Sequence, residues 1–67
     1  MVFYVNNKPH EAAVEPTLAA ALTELQLADQ RGVAVAVNDR VVPRTDWASY
    51  ALQAQDRITV IRATQGG

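Results

Sequence analysis

The sequence predicts an α+β fold in which one amphipathic helix crosses one face of a mixed four- to five-stranded sheet. Three observations carry that prediction. A leucine stripe at helical spacing lies within residues 15–32, β-prone runs stand on both sides of it, and Asn-rich turn signals separate the runs. A chain of 67 residues buries only roughly 60% of its unfolded surface, so it has material for one core and one domain.

The elements follow in chain order. VFYV at 2–5 is a short strand, and the asparagines of NNKP tolerate the positive φ of a tight hairpin turn, with HEAAV at 10–14 as the returning strand. EPTLAAALTELQLADQRG at 15–32 reads as the helix: Thr17 caps it, Leu18, Ala21, Leu22 and Leu25 form its apolar stripe, and Gly32 stops it. VAVAVN at 33–38 alternates strictly, with Val33, Val35 and Val37 on one face and Ala34 and Ala36 on the other. NDR turns the chain into Val41-Val42, which Pro43 ends. TDWASYAL at 45–52 is a single helical turn capped by Thr45, and Trp47, Tyr50 and Leu52 plug the core beneath it. RITVIRA at 57–63 is the last strand. Because the helix provides the crossover that lets the first hairpin and the later strands share a sheet, the order is that of a ubiquitin-like β-grasp. The expected organisation is a β-grasp domain over 1–63 and a flexible tail over 64–67.

Composition removes several function classes. Six Lys and Arg against seven Asp and Glu leave a formal charge of -1 and no basic stripe, so neither nucleic acid nor an anionic membrane is an expected partner. No apolar stretch reaches 18 residues and no leader pattern opens the chain, from which a cytoplasmic location is expected. With no cysteine and His10 as the sole histidine, disulfides, thiolate nucleophiles and a metal site are not expected. His10 reads as an exposed strand residue. So small a domain has no room for a deep catalytic pocket, which places function on the surface or at an end. The end is distinctive: at an average glycine usage near 7%, adjacent glycines at a terminus arise by chance roughly once in two hundred, and this chain closes on Gly66-Gly67.

The chain resembles the ThiS family, the sulfur carriers of thiamine biosynthesis. The residues that carry the resemblance are VNN at 5–7, TLAAALTEL at 17–25, VAVNDRVVPRTDW at 35–47, QDRI at 55–58 and the terminal GG. The central string is the most specific, with Asn38, Val42, Pro43, Arg44 and Trp47 at the family's spacing. One departure is Gln55-Asp56, where the family has Gly-Asp. If that position is left-handed, glutamine costs about 1 kcal/mol relative to glycine.

The resemblance implies a protein that is not an enzyme. It further implies that Gly67 is adenylated by an E1-like adenylyltransferase of the ThiF type, which uses ATP, while the carrier is expected to bind no cofactor itself. On the same resemblance, a sulfur donor such as a cysteine desulfurase or sulfurtransferase is expected to convert it to a thiocarboxylate, and a thiazole synthase of the ThiG type to receive the sulfur. The tail suits this chemistry. A carboxylate is a poor electrophile until one oxygen becomes a leaving group, and side-chain-free Gly66 and Gly67, following Gln65, pass a constriction that a Cβ would block. Five extended residues from Ala63 reach roughly 17 Å. The folded domain then docks through the sheet face away from the helix. Alternation nominates Ile61 with Val5 or Val42 as its apolar patch and Arg62 and Arg44 as its cationic rim. For Trp47 a core position is the better reading, and Pro43 and Arg44 also serve as a strand terminator and an exposed cation. Two neighbouring functions use the same tail: the small subunit of molybdopterin synthase and a ubiquitin-like protein modifier. A bare interaction module would not need it.

Overall fold

The computed structural model describes residues 1–12, 14–28 and 32–62. The chain runs β1 (Val2–Val5), β2 (Lys8–Glu11), α1 (Leu18–Glu24), β3 (Val33–Val37), β4 (Arg40–Val41), a 3₁₀ helix (Arg44–Ser49) and β5 (Arg57–Arg62). The five strands form one sheet in the order β2-β1-β5-β3-β4. β1 and β5 are parallel at its centre and every other pair is antiparallel. Ala63 and the expected tail, 64–67, lie outside the described residues.

Both hairpins close through two left-handed residues, Asn6 and Asn7 at φ 49 and 70, and Asn38 and Asp39 at φ 51 and 69. Asparagine and aspartate accept this region more readily than other residues with a Cβ, and two consecutive positive φ values match the right-handed twist of the flanking strands. β2 is shifted from expectation, since Lys8 and Pro9, read as part of the turn, already pair with Val5 and Tyr4. It ends at Glu11, Val14 is exposed in a bend, and Ala13 lies outside the described residues. Pro9 sits within β2, an edge strand, where its missing N–H costs least.

Thr17 caps α1 as expected, its Oγ1 accepting from the Ala20 N–H at 3.1 Å. The helix stops at Glu24, well before Gly32. Gln26 takes φ 63, its N–H donates to the Thr23 carbonyl at 3.0 Å, and the Leu27 N–H donates to the Leu22 carbonyl at 2.8 Å. This pair of bonds is a Schellman motif, with glutamine in the left-handed place where glycine is usual. Gly32, at φ 70, instead leads into β3. The 3₁₀ helix also differs from expectation. It starts at Arg44 after Pro43 with no side-chain cap, so Thr45 lies inside it.

The core lies between α1 and one face of the sheet. Leu18, Leu22, Leu52, Ile58, Val35 and Val37 are fully buried, joined by Phe3, Val5, Ala21, Val42 and Trp47. Each large aliphatic side chain removed from water contributes about 1.5–3 kcal/mol. The Leu18 N–H donates to the Tyr50 carbonyl at 2.7 Å and the Leu52 N–H to the Pro16 carbonyl at 2.9 Å, which ties the start of α1 to the segment after the 3₁₀ helix. His10 is half-buried, its ring stacked on Phe3 with centroids 5.7 Å apart, and is not the exposed strand residue that the sequence suggested. No helix among the described residues is long and apolar enough to cross a membrane.

Candidate functional site

Register decides which side chains the sheet offers to a partner. Phe3 and Val5 of β1, Val33, Val35 and Val37 of β3, and Ile58 and Val60 of β5 turn toward α1. The intervening residues form the open face, where Ala34 stands opposite Ile61, Ala36 opposite both Thr59 and Val41, and Tyr4 opposite Arg57. Because alanine is too short to shield its neighbours, Ile61 and Val41 remain 57% and 75% exposed. Two strand spacings and two residues separate them, roughly 12 Å on one surface.

The nominated docking residues divide on this geometry. Ile61 is on the open face. Val5 and Val42 are corrections: both are buried, at 7% and 6% exposure. Val5 lies beside Ile58 on the core side, and the open-face residue of that strand end is Tyr4. Val42 has left β4, its N–H donating to the Val35 carbonyl at 2.9 Å, and Val41 takes the open position. Arg44 is a correction too. Its guanidinium lies 4.7 Å from the centroid of the buried Trp47 ring and donates to the Ala28 carbonyl at 2.6 Å, which holds it on the helix side. Arg62 is exposed at the end of β5 but shares the register of Ile58 and Val60. The cation on the open face is Arg57, which shares the phase of Ile61 along β5; the sequence reading named Arg62, the neighbour of Ile61 in sequence, which faces the other way.

The central string of the resemblance therefore builds architecture. Trp47 Nε1 donates to the Val42 carbonyl at 2.9 Å inside the core, with Arg44 lying over its ring. Asn38 Oδ1 accepts from the Arg57 N–H at 3.0 Å and its Nδ2 donates to Asp56 Oδ1 at 2.9 Å, while Asp56 Oδ2 accepts from the Gln53 N–H at 2.8 Å. These bonds fix the turn that launches β5. Within it Gln55 is left-handed at φ 68, so the departure from Gly-Asp is accommodated as strain.

Among the described residues no group of three or more His, Cys, Asp or Glu side chains could hold a metal. A groove of about 60 Å³ between β2 and α1 is far below the few hundred Å³ of a nucleotide or drug-sized site, and the broader depression lined by Tyr4, Asn7, Asn38, Gln55 and Arg57 lies open to solvent. Gln65, Gly66 and Gly67 lie outside the described residues.

The sequence model of the ThiS family matches residues 3–67. The chain belongs to the ThiS family. It is 33% identical over 69 residues to the sulfur carrier protein ThiS of Escherichia coli K12, with both chains covered in full. The crystal structure of the thiamine biosynthesis protein ThiS from Geobacter metallireducens superposes with a TM-score of 0.84 at 25% identity over the whole of both chains. The solution structure of a thiamine biosynthesis protein from the same organism gives 0.78, also at 25%, over all of this chain and 88% of the other. The fold is thus the ubiquitin-like β-grasp of the ThiS family, and the family match extends through Gly66 and Gly67.

Proposed function

We propose that this chain is a sulfur carrier of thiamine biosynthesis, a co-substrate and not a catalyst, whose Gly67 carboxylate is the reacting group. The observation that carries the reading is the family match over residues 3–67, which reaches the terminal Gly-Gly. In the first step a Gly67 carboxylate oxygen attacks the α-phosphorus of ATP on an E1-like adenylyltransferase, and pyrophosphate leaves. A sulfide equivalent from a desulfurase or sulfurtransferase then attacks the acyl carbon. AMP departs with the original oxygen, leaving a thiocarboxylate whose sulfur is the nucleophile passed to thiazole synthase. The carrier binds no nucleotide of its own, and its cytoplasmic location is part of this reading.

The folded body serves as the docking handle. Ile61 and Val41, set among Ala34 and Ala36, offer an apolar centre with Arg57 and Tyr4 beside it, the composition of an interface core with a polar margin. Ordering the tail in a partner's channel costs about 1–2 kcal/mol of backbone entropy per residue, which docking of the sheet face offsets.

The deciding measurement is intact mass spectrometry of the full chain after incubation with ATP, adenylyltransferase and a sulfur source. The expected product has one oxygen exchanged for one sulfur, and a chain lacking Gly66 and Gly67 gains none. Unchanged mass of the full chain under conditions that convert the Escherichia coli protein would refute the proposal.

A further inference from the structure

We infer that Asn6 is a positioning residue that aims the end of β5, and with it the chain that continues to Gly67. The role rests on the sulfur-carrier reading above. β3 pairs with β5 along its length, from Val37 opposite Ile58 to Val33 opposite Arg62. On the other flank β1 pairs only as far as Val5 opposite Ile58, and the chain then turns away through Asn6 and Asn7. β5 therefore outruns its parallel neighbour.

Asn6 lengthens that short ladder. Its backbone N–H donates to the Ile58 carbonyl at 2.9 Å, the last main-chain bond on this flank. Its side chain takes the next place: Oδ1 accepts from the Val60 N–H at 2.9 Å, and Nδ2 makes a long 3.5 Å contact with the Val60 carbonyl. One amide thus imitates the donor and acceptor of a further strand residue, across 54 positions of sequence. Asparagine meets two demands here. It tolerates φ 49 at the first turn residue, and it carries both hydrogen-bonding groups. Glycine meets only the first, and aspartate retains the acceptor alone.

The bond is exposed, so its removal leaves Val60 to water and leaves the fold intact. What changes is direction. With Asn6 in place, β5 is held at Val60 by the Asn6 amide on one edge and by its register with β3 on the other, through Arg62. Without it, the strand end frays on one side, and the added ordering cost at the partner's active site corresponds to roughly tenfold in rate for one freed residue.

The test uses the full chain with Asn6→Gly, which keeps the turn and deletes the amide, and Asn6→Asp, which keeps the acceptor for Val60. Amide exchange followed by NMR should show Val60 about tenfold faster in Asn6→Gly, near native in Asn6→Asp, and Val35 and Val37 unchanged in both. In steady-state adenylation with ATP, kcat should fall about tenfold in Asn6→Gly at unchanged KM for the carrier and recover in Asn6→Asp. Unaltered Val60 exchange, unaltered kcat, or a rise in KM alone would each overturn the assignment. A wild-type chain that forms no acyl adenylate would overturn the sulfur-carrier reading itself, a result distinct from any difference between the variants.

Discussion

Along β3 the valines Val33, Val35 and Val37 turn toward α1 and the alanines Ala34 and Ala36 toward solvent, and β5 repeats the division with Ile58 and Val60 on one side and Thr59 and Ile61 on the other. On the covered face every large side chain finds large neighbours, and Val35, Val37 and Ile58 keep 1% of their surface. On the open face the neighbours of Ile61 and Val41 are alanine and threonine, and both stay wet. The difference teaches that these strands divide two duties by parity alone: one phase holds the domain together and the other is left for association. Substitutions should therefore separate stability from docking according to the face they touch.

The largest expected effect is on the covered face. Leu22, fully buried on α1, should cost about 2–5 kcal/mol as Leu22→Ala, a large part of the roughly 3–10 kcal/mol expected for a domain this size. Urea denaturation checks it, and a loss below about 1 kcal/mol would mean the helix is not seated as described. Trp47→Phe comes next. It keeps an aromatic ring but leaves the Val42 carbonyl without its indole donor, at an expected cost of about 1–3 kcal/mol in the same assay.

Smaller, and of opposite sign, are two changes at the backbone of turns. Gln26 and Gln55 both hold left-handed backbone, and Gln26→Gly and Gln55→Gly should each stabilise by about 1 kcal/mol, reduced somewhat by the greater freedom of glycine in the unfolded chain. Thermal unfolding should rise by several degrees for each, since about 1 kcal/mol moves the midpoint of so short a domain by roughly 4–8 °C. Gln26→Gly, at the end of α1, should leave adenylation kinetics unchanged, and if it did not, the separation of duties would be less clean than parity implies.

Much of this fold was legible where size or chemistry varied along the sequence. The Val/Ala alternation of β3 states its own phase, Thr17 marks the start of α1, and Asn6-Asn7 and Asn38-Asp39 mark the two hairpins. Legibility failed where neighbours were alike. VFYV is apolar in both phases, so nothing local separates Val5 from Tyr4, and Val41-Val42 offers the same side chain twice. Only pairing with β5 and β3 decides which member is covered. The end of α1 was hidden because glutamine, a good helix former, occupies the left-handed stop. Arg44 is exposed, as its charge suggested, but its partners were hidden, because the ring beneath it comes from three residues along a 3₁₀ turn and its carbonyl partner from sixteen residues back.

The smallest stability effect belongs to Ile61, and it is the sharpest test of the comparison. Ile61→Thr retains the β-branch that suits a strand and removes apolar surface that is already 57% exposed, so the folded domain should change by less than about 0.5 kcal/mol. Docking should respond out of proportion. If Ile61 sits at the centre of the buried patch, losing its terminal carbon and desolvating a hydroxyl weakens association by about 1–2 kcal/mol, which raises KM for the carrier roughly tenfold at unchanged kcat. That is the reverse of the pattern expected for Asn6→Gly, where kcat falls at constant KM. A matched pair of assays on these two variants therefore distinguishes the surface that brings the carrier to its partner from the side chain that aims its terminus, and equal KM values for Ile61→Thr and wild type would move the docking patch away from β5.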